Sequence, residues 1–309
     1  MKDITPRASA LWERINETYL TPESLEDLSN FKRDRVNYKI SLWNPHTNGV
    51  RYLKTLLYNL CSSLSEENRR RLANTRGREF GNPITVRYDG QEICLDYLQA
   101  AWELEFLERH LPRPLAGAAI LEIGAGYGRT CHTILSNHDP SLYCIVDLDN
   151  CLTLAQRYLK TVLSPGAYER IRFLPVTSID YLEGMHFHLA VNIDSFAEME
   201  APTVRYYLDY INRRCDHLYV KNPVGKYDDP SLDAAPVGEE VAAARRMGLL
   251  LDVVDINDNL DILKNAKKFI EAYRPAPTWT CLAEGWAPPW SFYWQALYGR
   301  GGETRGRRE

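Results

Sequence analysis

The stretch Ala118-Ala-Ile-Leu-Glu-Ile-Gly-Ala-Gly-Tyr-Gly-Arg129 reads as a buried strand, Ala119 to Ile123, running into a glycine-rich turn, with a helix following from Tyr127. Glycines at 124, 126 and 128 let the backbone turn tightly and come close to a ligand. Glu122 sets a carboxylate near the strand's carboxyl end, the side on which open α/β sheets bind ligands. A carboxylate there suits a ligand that carries a cation or free hydroxyls and suits a pyrophosphate badly.

Working outward, Tyr143-Cys-Ile-Val-Asp147 is a second apolar run ending in an acid, and Cys151 to Val162 after it reads as a helix. An acid about 20 residues beyond a glycine turn is spaced to accept hydrogen bonds from a ribose diol. Nicotinamide dinucleotides and S-adenosylmethionine (SAM) both carry that diol, so the glycine spacing must separate them. A dinucleotide turn takes G-x-G-x-x-G. Here Arg129 stands at the third glycine position, and the pattern is Glu122-x-Gly124-x-Gly126-x-Gly128. That pattern resembles motif I of the class I SAM-dependent methyltransferases. The resemblance implies SAM as cofactor and a Rossmann-like, doubly wound α/β fold.

The rest of the chain agrees with such a fold. Strands fit at 118–123, 142–147, 170–176, 187–193, 216–221 and 249–255, with a last one within 291–298, and helices fit between them at 127–137, 150–163, 202–213 and 238–247. This alternation predicts a mostly parallel, seven-stranded sheet with helices on both faces. Before it, Leu53, Leu57, Leu60 and Leu64 mark one helix face, and Ile93, Tyr97, Ala101, Leu104, Leu107 and Leu111 mark another, ended by Pro112 and Pro114. The segment 74–90 between them, rich in Gly, Arg and Asn, reads as a long loop. The expected organisation is a helical N-terminal extension over 1–112, a SAM-binding domain over 113–298 and a flexible tail over 299–309. The polar segment 222–236 reads as an insertion after the fifth strand, and 255–273 as a loop and a helix.

Composition bounds the partners. The net charge is −4, so no overall basic field attracts nucleic acid. No run of 18 apolar residues is present and Met1-Lys-Asp-Ile-Thr-Pro-Arg7 has no apolar leader core, so neither a membrane span nor export is expected. Seven scattered cysteines without a C-x-x-C pair argue for reduced thiols in the cytoplasm and against structural zinc; no metal ligands are assigned, and whether a divalent metal assists stays open. Nineteen tyrosines and seven tryptophans are many, and some are expected to line a substrate surface.

The fourth strand carries the second motif, Asn192-Ile-Asp-Ser-Phe-Ala-Glu-Met199. With Leu121 to Arg129, Ile145-Val-Asp-Leu148 and Leu154-Ala-Gln-Arg-Tyr-Leu159, it resembles a group of sugar O-methyltransferases of antibiotic and polysaccharide biosynthesis. The resemblance covers roughly 115–225; the stretch from Ser41-Leu-Trp-Asn-Pro-His46 to Tyr52 shares it less closely. It implies that Glu122 and the backbone of Gly124, Ala125 and Gly126 meet the methionine part of SAM. Asp147 takes the ribose, Leu148 flanks the adenine, Thr177, Ser178 and Ile179 read its edge, and Asn192 completes the cofactor contacts. The end of the fourth strand faces the methyl group, which makes Asp194 and Glu198 the candidate bases. A sugar hydroxyl is a very weak acid and needs a base as the bond forms; an amino-sugar nitrogen needs only to lose its ammonium proton, which the same carboxylates could orient. Trp43, His46, Lys221 and Asn222 are the candidate acceptor contacts. Oxygen and nitrogen therefore stay open, as do the acceptor's identity and the oligomeric state. Two other readings compete. A nicotinamide-dependent sugar oxidoreductase wants the missing third glycine. A non-catalytic SAM-binding partner predicts that removing the carboxylates at 194 and 198 changes nothing. A nucleic-acid methyltransferase fits less well, because the fourth-strand motif is not of the Asn/Asp-Pro-Pro-Tyr type.

Overall fold

The computed structural model describes residues 9–23, 26, 38, 43–227 and 239–301. Chain packing divides it into two units, 1–62 and 63–309. The first holds α1 (Ala10–Thr18), whose N-cap Ser9 accepts from the Trp12 amide, and α2 (Pro45–Ser62). In the second, α3 (Glu66–Asn74) leads into a small hairpin of β1 (Thr85–Tyr88) and β2 (Gln91–Cys94), and then α4 (Leu95–His110). That hairpin begins inside 74–90, which reads in sequence as a loop, and takes up its last part. Helices α3 and α4, expected in an extension ending at residue 112, pack within the larger unit.

The main sheet follows. In chain order it is built from β3 (Ala119–Ile123), α5 (Arg129–Asn137), β4 (Leu142–Asp147), α6 (Asp149–Val162), β5 (Ile171–Pro175) and β6 (Phe187–Ile193). Next come α7 (Ala201–Arg214), β7 (Cys215–Pro223), α8 (Asn259–Ala272), β8 (Trp279–Trp286) and β9 (Tyr293–Arg300). Seven strands run in the order β5-β4-β3-β6-β7-β9-β8. The first five are parallel, and β9 enters antiparallel between β7 and β8. This is the doubly wound, Rossmann-like, mostly parallel sheet the sequence predicts. One strand sits elsewhere than expected. The apolar run at 249–255 makes only an isolated bridge, Val253 to Lys226, and the seventh strand is β8 instead.

Strand periodicity decides which side chain faces which helix layer. Ile120, Tyr143 and Ile145 pack with Leu104, Cys131, Ile134, Leu152 and Ala155 of α4, α5 and α6. Leu121, Ile123, Cys144 and Val146 pack toward Val204, Tyr207 and Ile211 of α7 and Ile262 and Phe269 of α8. Glu122 alternates with Leu121 and Ile123 and so shares the face of Ile120. The winding reverses between β3 and β6, and ligands of open α/β sheets bind at such a reversal, beyond the strands' carboxyl ends. Among the described residues no helix is long and apolar enough to cross a membrane. The segment 228–238 and the tail 302–309 lie outside the described residues.

Candidate active site

The glycine turn leaves β3 with positive φ at Gly124 (74°), Gly126 (58°) and Gly128 (92°). The three glycines have different reasons to lack a side chain. A Cβ on Gly124 would lie 2.1 Å from Ser195 Oγ, and one on Gly128 would lie 2.7 Å from Leu159 Cδ1. A Cβ on Gly126 would meet nothing within 4 Å. Gly124 therefore makes room for the turn after β6, and Gly128 lets α6 pack close. Gly126 alone offers bare backbone to open space, which is the arrangement a closely approaching ligand needs. The Gly126 amide donates to Asp147 Oδ2 at 2.8 Å and the Leu148 amide to Asp147 Oδ1 at 2.7 Å, so Asp147 ties the ends of β3 and β4 together. Leu148 beside it is 61% exposed. Thr177, Ser178 and Ile179 lie on a 3₁₀ turn after β5; Thr177 is exposed, and Ile179 is buried in the core.

A cavity of about 290 Å³ opens beside this turn, lined by Glu122, the 124–127 backbone, Arg129, Asp194, Lys221 and Tyr293 among others. Glu122 is 2% exposed and accepts from Tyr143 Oη at 2.8 Å; burial pushes its carboxyl up to about 7. The floor is an ion network. Glu103 on α4 accepts from Lys221 Nζ at 2.7 Å and from Arg129 Nη2 at 3.0 Å. Lys221 also donates to Gln99 Oε1 at 3.0 Å, and Arg129 to the Asp96 carbonyl at 2.8 Å. Burial pushes the Glu103 carboxyl up, but Arg129 and Lys221 more than offset this and hold it below its ordinary range. Two cations share the Glu103 carboxylate here, with Asp96 also in the lining beside Arg129.

The opposite wall comes from the fourth-strand motif. Asn192 and Asn222 are both fully buried. The Asn192 amide donates to the Ile123 carbonyl at 3.0 Å and to Ser195 Oγ at 2.6 Å, and its oxygen accepts from the Asn222 amide at 2.9 Å. Asn222 Oδ1 accepts from the Ala197 amide at 3.1 Å. The polar atoms of both asparagines are thus engaged in fastening the motif to the glycine turn. Fastened this way, Asp194 is forced to φ 69°, ψ −39°, a region a non-glycine residue rarely enters and one that stores strain at functional sites. Its Oδ1 accepts from Tyr293 Oη at 2.7 Å. Glu198, at the end of the following 3₁₀ turn, is exposed and does not line the cavity; burial and the neighbouring Asp194 push its carboxyl up.

Of the residues singled out from sequence, Glu122, Gly124, Ala125, Gly126, Asp194 and Lys221 line one cavity. Asp147, Leu148 and 177–179 stand at the ends of β4 and β5, outside that lining. Trp43 and His46 belong to the 1–62 unit, where both are exposed; Tyr52 Oη donates to the Trp43 carbonyl at 2.7 Å, and the Arg51 guanidinium lies 4.1 Å from the Trp43 ring. Among the lining residues, sequence reasoning missed Asp96, Gln99, Tyr127, Arg129, Thr130, Ile193, Trp290 and Tyr293. The aromatic run Trp290-Ser-Phe-Tyr-Trp294 was the available signal for the last two.

No protein-family model matches the chain, and no curated relative matches it. Solved structures do. One is a Klebsiella pneumoniae protein described as a candidate O-methyltransferase, with 15% identity and a TM-score of 0.44 over 82% of this chain and 100% of that one. Another is the O-methyltransferase TomG from Streptomyces achromogenes, involved in tomaymycin synthesis and solved with SAM, with 14% identity and a TM-score of 0.42 over 82% and 98%. A third is the tRNA methyltransferase TrmK of B. subtilis, with 11% identity and a TM-score of 0.36 over 65% and 66%. Likenesses this distant leave reaction and acceptor to be read from the site.

Proposed function

We propose that this protein is a SAM-dependent methyltransferase that moves a methyl group onto a sugar hydroxyl of a natural product or glycan precursor. The observation that carries the reading is a single cavity joining the bare backbone at Gly126 and the side chains of Arg129 and Lys221 to the carboxylate of Asp194. When bound, SAM supplies an activated methyl group on a sulfonium. The residues present fit it. Arg129 and Lys221 suit an amino-acid carboxylate, Glu122 and the 124–126 backbone suit its ammonium, and Asp147 with Leu148 suits a ribose and an adenine. Thr177 and Ser178 are within the segment that would read the adenine edge.

Catalysis by this arrangement is largely positioning. The acceptor oxygen must face the methyl carbon in line, and a base must take the hydroxyl proton as the new bond forms. Asp194 lines the cavity and Glu198 stands on the adjoining turn, so both are candidates. The sugar assignment rests on the resemblance carried by the 192–199 motif. Methylation of an amino-sugar nitrogen is the alternative, favoured by a carboxylate placed to hold an ammonium.

The test is binding followed by transfer. Calorimetry should detect SAM and S-adenosylhomocysteine and no NADH; NADH binding in their place would move the chain to the oxidoreductases. Mass spectrometry of methyl transfer to a panel of glycosides and amino glycosides should then locate the new group, on oxygen for the leading reading and on nitrogen for the alternative. Full transfer by both Asp194→Asn and Glu198→Gln would exclude either carboxylate as base.

A further inference from the structure

Tyr293 and Asp194 are 99 residues apart in sequence yet joined by a 2.7 Å hydrogen bond. Three features make the contact more than incidental. Both residues line the cavity beside the glycine turn. The Asp194 backbone is held at positive φ, with its amide on the Lys221 carbonyl at 2.8 Å, so its carboxylate is aimed by the fold rather than by local preference. Tyr293 opens β9, in register with Pro223 at the end of β7, and Lys221 Nζ lies 5.8 Å from its ring. Burial, together with the Asp194 charge, raises the Tyr293 hydroxyl far above its ordinary range, so it stays a donor at any working pH. No hydrogen bond to Asp194 Oδ2 is seen among the described residues.

We infer that Tyr293 is the positioning residue of an Asp194–Tyr293 pair that faces the transferred methyl: Tyr293 pins Oδ1, and Asp194 Oδ2 receives the acceptor's proton. This deepens the proposed methyl transfer and rests on it. As the acceptor oxygen bonds to the methyl carbon, the carbon–sulfur electron pair returns to sulfur and the hydroxyl proton passes to Asp194 Oδ2. Tyr293 keeps its own proton throughout. Glu198 lies outside the cavity lining.

The pair can be tested without knowing the acceptor. Sinefungin carries an amine-bearing carbon where SAM carries its methylated sulfur, whereas S-adenosylhomocysteine has a bare sulfur there. Their affinity ratio, measured by calorimetry on the full chain near neutral pH, therefore reports the carboxylate at the methyl position. The native protein should prefer sinefungin roughly tenfold, the size of one hydrogen bond to a charged group. Asp194→Asn should abolish the preference and Tyr293→Phe should cut it several-fold, both with S-adenosylhomocysteine affinity kept. Retained S-adenosylhomocysteine binding also shows that each variant folds, and if Asp194→Asn does not fold, Tyr293→Phe decides, since it removes one oxygen and keeps the ring. No preference in the native protein, or an unchanged ratio in Asp194→Asn or Tyr293→Phe, would overturn the pair while leaving the cofactor reading intact. Failure of the native protein to bind either nucleoside would overturn both.

Discussion

At Gly124 and Gly126 one substitution has two different consequences. Gly124→Ala drives a Cβ into Ser195 at positive φ and should lower stability by roughly 2–4 kcal/mol. Gly126→Ala meets only the φ penalty, about 1 kcal/mol, but covers the open backbone, so it should chiefly lose affinity for S-adenosylhomocysteine. Thermal unfolding and calorimetry on the two variants separate these effects. Glu122 gives a pH signature. Its folded pKa of about 7 lies above the ordinary 4.5, so between these values the folded protein keeps a proton that the unfolded chain has released. Stability must then fall as pH rises through that window, and the loss is complete above it. Glu122→Gln cannot ionise and should gain on the parent by up to roughly 3 kcal/mol across the same window, read by urea denaturation at both ends. At this scale the sequence was informative. Glu122 and the glycines are local, and the Gly126–Asp147 bond across 21 residues follows the spacing of one strand–helix–strand unit.

Elements bring together what local patterns cannot. The Glu103 carboxylate joins α4 to the first residue of α5 and to β7 through Arg129 and Lys221. Removing the one anion leaves two buried cations unpaired, so Glu103→Gln should cost about 3–5 kcal/mol in chemical denaturation, more than an exposed pair such as Arg213–Asp209. Nothing in the α4 sequence announces this. Glu103 reads as one more acid on a helix until β7 is laid under it. The strand error at 249–255 has a similar cause. Leu249-Leu-Leu-Asp-Val-Val254 has the apolar content of a strand but finds only the Val253–Lys226 bridge. Trp279-Thr-Cys-Leu-Ala-Glu-Gly-Trp286 has weak alternation and a glycine, yet pairs along its length with β9. Pairing partners, rather than propensity, decided between the two.

For the whole chain, the relevant division is between 1–62 and 63–309. Every described residue lining the candidate cavity lies in the second unit. A fragment of 63–309 should therefore fold and bind S-adenosylhomocysteine with the affinity of the full chain, as calorimetry can check. Tyr293 was out of reach of the sequence for a reason that belongs to this scale. It reaches the ligand end of the sheet only because β9 runs against its neighbours, so that its beginning lies where the parallel strands finish.

The placement of β9 also bears on biosynthesis. It is the last strand in sequence but lies inside the sheet, with β7 on one flank and β8 on the other. Domains tend to fold as the chain emerges, N-terminal parts first, yet here the position beside β7 cannot be filled until residues near 300 have left the ribosome. The nascent protein thus presents an open β7 edge from the time β7 emerges until β9 follows it, and the wall of the cavity opposite the glycine turn is the last part to close.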